Sequence, residues 1–113
     1  MAKKKYYYQE SENVEKFKML SELLDSIYLE MKEFSKKKPD EPLNTFKVKN
    51  VNRILTQLKE LLIEEPTIGF LDLLDEETLP TNSDAILVIG QFQASMKRYK
   101  NKYTDEYRNW NIK

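Results

Sequence analysis

The side chains best able to do chemistry fall into two groups. Glu64 and Glu65 precede Pro66, and Asp72, Asp75 and Glu76 follow shortly after it. Grouped carboxylates can hold a divalent cation and activate a bound water, as in helical nucleotide hydrolases. That chemistry needs acids on opposed, rigid helices, whereas these crowd around a proline in a connecting segment. They are therefore expected to be a solvated charged loop, and metal-dependent nucleotide hydrolysis ranks third among the readings. The second group is basic and aromatic: Lys97, Arg98, Lys100, Lys102 and Arg108 alternate with Tyr99, Tyr103, Tyr107 and Trp110. Lysine and arginine can track phosphates while aromatic faces stack on bases, which is how single-stranded nucleic acid is commonly held. The same aromatics, if left uncovered, equally suit a protein partner.

Other chemistries are excluded by what is missing. The 113 residues include no cysteine and no histidine, which removes disulfides, thiolate nucleophiles, zinc–thiolate sites and the commonest general base. No serine or lysine stands in a signature that supplies a base and an oxyanion site. The longest apolar run, AILVIG at residues 85–90, could be a strand entering a phosphate-binding turn. Such a loop needs several glycines, usually with a lysine following, and Gly90 stands alone. No catalytic residue, metal or cofactor is expected, and the chain is read as a non-enzyme.

The elements that must position these groups are helical. Phe17, Leu20, Leu24, Ile27, Met31 and Phe34 recur at gaps of three and four, with Leu23 and Tyr28 widening the stripe so that it meets two neighbours. This predicts a helix over about residues 11–37, ended by Pro39 and Pro42. Val48, Val51, Leu55, Leu58 and Leu62 repeat the spacing over about residues 46–65, with Asn44 or Thr45 as cap. Thr81 and Asp84 have the form of a capping box. Beyond them, Ala85, Val88, Ile89, Phe92, Met96, Tyr99, Tyr103, Tyr107 and Trp110 share one helical sector, predicting a third helix over about residues 82–109 with Gly90 allowing a neighbour to come close.

The expected fold is thus all-α: a single domain, residues 1–113, forming a three-helix up-down-up bundle, with residues 1–8 flexible. The helix 2 to helix 3 connection, partly structured around Phe70, is expected to lie across an open end of the bundle. Under that topology Lys36, Lys37 and Lys38 share a basic pole with Lys97, Arg98, Lys100, Lys102 and Arg108, and the acids occupy the opposite pole. Nineteen basic and nineteen acidic residues would then cancel in total yet separate in space. A third helix of about 40 Å against about 30 Å for the second would carry its aromatic end past the bundle.

The function expected first is a non-enzymatic helical interaction or assembly module, docking on a protein or self-associating into a homo-oligomer through Tyr99, Tyr103, Tyr107 and Trp110. The alternative is a nucleic-acid-binding accessory subunit that uses the basic pole for single-stranded nucleic acid. No window has the apolar length of a membrane span or a signal peptide, so a cytoplasmic protein without membrane contact is expected. No family motif is present. The general shape is similar to small helical subunits of RNA-guided defence complexes, and shape without a motif assigns no function.

Overall fold

The computed structural model describes residues 6–113. Three helices carry the fold: α1 (Ser11–Lys37), α2 (Thr45–Leu61) and α3 (Asn82–Lys102), with a 3₁₀ turn at Ile68–Phe70. Among the described residues there is no strand, only three isolated bridges. The flexibility expected of residues 1–8 falls, for residues 1–5, outside the described residues.

Each boundary has a local cause. The Asn44 side chain accepts the Lys47 amide at 2.8 Å and opens α2, while the Thr81 hydroxyl accepts the Asp84 amide at 3.2 Å and opens α3. α1 closes on a bond from the Lys38 amide to the Phe34 carbonyl, and Pro39 follows. The buried residues of the three stripes meet in one core, in which Leu24, Leu55 and Ile89 are fully enclosed. α1 is the shared neighbour, packing on both α2 and α3.

The all-α three-helix bundle agrees with the sequence reading; the direction of the third helix does not. The Leu43 amide donates to the Pro80 carbonyl, the Asn82 amide to Glu41 and the Ser83 amide to Pro39. The Asn82 side chain adds a 2.9 Å bond to the Lys38 carbonyl. α3 therefore starts beside the α1–α2 loop, and it ends beside α2's end, where Lys102 pairs with Glu65 at 3.3 Å. The order is up-down-down, with α3 parallel to α2 and antiparallel to α1. The expected up-down-up order fails because the connection does not cap the end of the bundle. It runs back along α2: Asn52, midway along that helix, gives its amide to the Leu74 carbonyl at 2.8 Å and accepts the Leu74 amide at 2.9 Å. Extended chain covers about 3.3 Å per residue against 1.5 Å in a helix, so about eight residues suffice to retrace α2. Leu71 and Leu74 are buried on the way.

Helix 2 is shorter than expected, ending at Leu61 in place of residue 65, and helix 3 ends at Lys102 in place of residue 109. Beyond α3, the Thr104 hydroxyl donates to the Lys100 carbonyl at 2.6 Å, and the Asp105 carboxylate accepts the Tyr107 and Asn109 amides at 2.8 and 2.9 Å. Short polar side chains that satisfy the backbone locally compete with the helix. With Arg108 at a φ of 65°, the chain reverses, and Asn111 donates back to the Tyr103 carbonyl. The segment before α1 then joins this tail: the Gln9 amide donates to Asn111 and the Lys113 amide to Gln9.

Gly90 also plays a different part. A methyl group built there would have nothing within 4 Å, so no close helix approach depends on it. Gly90→Ala is expected to raise stability by about 0.5 to 1 kcal/mol in denaturant unfolding, the helix-propensity difference. Asn52→Ala, which leaves two buried backbone groups of Leu74 unpaired, is expected to cost about 2 to 4 kcal/mol. A neutral Asn52→Ala would show that the return of the connection along α2 does not rest on this side chain.

Candidate functional site

An open groove of about 510 Å³ lies between α1 and α2. From α1 it takes Met19, Leu23, Ile27 and Phe34, and from α2 Phe46, Asn50, Ile54 and Gln57, with Glu30 on one wall and Lys47 and Arg53 on the other. Met19 to Phe34 extends for about 22 Å along the helix axis. Several of its apolar residues lie open: Phe46 is 75% exposed, Met19 49%, Leu23 47% and Phe34 43%. Lys47 places its ammonium 4.4 Å from the Phe34 ring centre, a cation–π contact at the groove's edge. A contiguous apolar trough with a charged rim suits an amphipathic helical surface better than a polar small molecule.

The expected aromatic end of helix 3 is assembled differently. Tyr99 is buried, stacked on Phe17 with ring centres 5.2 Å apart, and Trp110 meets Phe17 edge-on at 5.2 Å. Tyr103 leans on Tyr99 at 4.8 Å, and both Tyr103 and Trp110 pack against the core while partly buried. Of the four aromatics expected to bind a partner, only Tyr107, at 79%, is fully in solvent. The helical sector placed Trp110 on the right side of the molecule, yet it arrives there by chain reversal. The helix does not overrun the bundle, so no uncovered aromatic stripe forms.

The expected basic pole is divided. Lys36, Lys37 and Lys38 stand at the start of α3, while Lys97, Arg98, Lys100 and Lys102 stand near its end, about 30 Å away at the helical rise. Arg108 lies in the tail beyond that end. Lys36 pairs with Glu33 and Lys38 with Glu41, and Lys37, Lys38 and Lys47 rim a smaller depression of about 380 Å³. Lys102 sits over the Tyr7 and Tyr103 rings at 5.1 and 5.2 Å and against buried Glu65. Burial pulls its pKa down, but the Glu65 charge and Tyr103 outweigh that and leave it raised.

The acids are likewise dispersed. Glu65 is committed to Lys102, and Asp75 accepts the Glu77 and Thr78 amides, bonds that hold its pKa below the usual value. Among the described residues, no three acids converge as a metal-binding group. Nor is any helix of the described residues long and apolar enough to cross a membrane.

The groove residues were missed because the α1 periodicity, read alone, assigns Ile27, Phe34 and the flanking Leu23 to the core face and leaves Met19 off the stripe. Leu23, noted as widening the stripe, was the one available signal. Phe46 gave none, since a phenylalanine in a first helical turn is ordinarily taken as buried.

Burial pushes the Tyr99 hydroxyl up to about 12 from 10.0, with Gln9 opposing the shift and Tyr103 and Glu65 adding to it. The unfolded chain ionises this group near 10 and the folded chain near 12, so its contribution is complete below pH 10 and is lost as pH rises through 12. Lys102 acts in the same direction. The Tyr99 hydroxyl is enclosed without a hydrogen bond of good geometry, so Tyr99→Phe should leave neutral-pH stability unchanged or higher. It should also flatten the alkaline loss measured by urea unfolding across that pH range. An unchanged alkaline slope would contradict the assignment. No protein-family profile matches this sequence, and neither characterised proteins nor solved structures show a relative.

Proposed function

We propose that the protein is a non-enzymatic helical interaction module that docks an amphipathic helical protein surface in the α1–α2 groove. The observation carrying this reading is the exposure of Phe46, Met19, Leu23 and Phe34 along one continuous trough. Their positions on α1 and α2 hold these apolar side chains outward, and covering them excludes water from a contiguous surface. The docking site is thus moved from the aromatic end of α3, whose rings are largely occupied with the core, to the opposite side of α1.

The nucleic-acid reading is weaker because its cations no longer share one face. It retains Lys97, Arg98 and Lys100, exposed on α3, with no ion pair among the described residues. Tyr107 is the one fully exposed ring in their part of the chain.

A photo-crosslinking amino acid at Phe46 or Leu23, in the cells that make the protein, tests the groove directly. We expect one discrete adduct whose attachment maps to the apolar stripe of a helix. None is expected from Leu29, which is 65% exposed but lies outside the groove. Folded protein giving no adduct at either groove position would end this reading. Tight, salt-sensitive binding of a single-stranded oligonucleotide, lost on reversing Lys97, Arg98 and Lys100, would transfer the function to nucleic acid.

A further inference from the structure

We infer that the occupant of the groove is a second copy of this chain, related by a twofold axis running along the groove; this rests on the docking function proposed above. The groove's own charges select the occupant. Glu30 lines its α1 wall and Arg53 its α2 wall, and neither has an ion partner among the described residues. The contact between Lys47 and Phe34 sets the relative height of the two antiparallel helices. Glu30 lies four residues back from Phe34 and Arg53 six residues on from Lys47, in the same direction along the groove. At the helical rise these steps are about 6 and about 9 Å, so the two charges stand at nearly the same level, on opposite walls.

A twofold axis parallel to the groove exchanges the walls and preserves the level. α1 then lies over α2 of the second copy, running antiparallel to it, and Glu30 faces Arg53 of that copy. Symmetry makes the pair twice. The same operation sets Leu23 and Phe34 against the apolar α2 wall, where Ile54 and Phe46 lie. Four helices result, two from each copy, each antiparallel to its neighbour and to the helix it faces, which is the ordinary packing of a four-helix bundle. The other way of placing two copies face to face has its twofold axis across the groove. It brings α1 over α1 and α2 over α2, so Glu30 no longer faces Arg53, and an axis at their level would set Glu30 against Glu30, an unfavourable like-charge contact. An unrelated helical partner would need an acid-bearing flank and a base-bearing flank in the right order, whereas a second copy carries both by construction.

Sedimentation equilibrium of the purified full chain distinguishes these cases. The mass should rise with concentration from 13.5 kDa toward twice that value. Glu30→Arg and Arg53→Glu should each weaken the dimer by about tenfold or more, and the double reversal should restore it toward the starting affinity. Leu23→Glu, a charge in the middle of the groove, should abolish the dimer; all three positions tested are exposed, and thermal melts by circular dichroism check that each variant is folded. A chain that stays monomeric at all accessible concentrations overturns the second copy; if groove crosslinks then map to another protein's helix, the docking function itself survives. A dimer indifferent to both reversals, or tightened by Glu30→Gln, overturns the proposed axis.

Discussion

The return of the chain along α2 is the constraint on which the rest of the molecule depends. Asn52 makes it possible by presenting, from inside a helix, the donor and acceptor that a neighbouring strand would offer, so that the Leu74 peptide groups are satisfied in the interior. With the connection held there, Pro80 reaches Leu43, and α3 has to begin at the loop joining α1 and α2. A helix placed that way runs parallel to α2. Its basic end then comes to rest by the acidic end of α2, and Lys102 finds Glu65. The charge separation implied by a simple up-down-up order is thereby replaced by a mixture of signs at one end and a lysine-rich loop at the other.

The two chain ends form a second, smaller structure on the same framework. Gln9 lies between Asn111 and Lys113 through backbone bonds, and its side chain accepts the Glu10 amide and the Asn13 side chain at 2.9 Å each. The tail's reversal brings Trp110 over Phe17 and Tyr99 and closes the end of the core that α2, ending at Leu61, leaves short. Aromatic rings gain contact area and geometric preference from such clusters, so the tail holds its place although little of it is regular structure.

The groove follows from how this layered arrangement distributes apolar surface. α1 is long and has two packing partners, α2 and α3, while the returning connection also contributes Leu71 and Leu74 to the core. The core is thereby complete without the flank that carries Met19, Leu23 and Phe34. Those residues continue the α1 stripe past the point where the molecule has anything to set against them, and Phe46 extends the same surface onto α2.

The sequence by itself determined the three helices, their caps at Asn44 and Thr81, the burial of Leu24, Leu55 and Ile89, and the absence of cysteine and histidine chemistry. These depend on local spacing and on hydrogen bonds spanning three or four residues, both of which are written consecutively in the chain. What only the tertiary structure decided was the direction of α3, the end of that helix at Lys102, the division of the lysines and the open side of α1. A helical stripe records that a face is apolar, but Phe34 and Leu24 look alike in it; which of them is covered depends on where a distant segment lies. Trp110 makes the same point from the other side. Its register matched a continuing helix, yet the local bonds of Thr104 and Asp105 turned the chain back, and the tryptophan reached the core because the bundle left an apolar surface for it there.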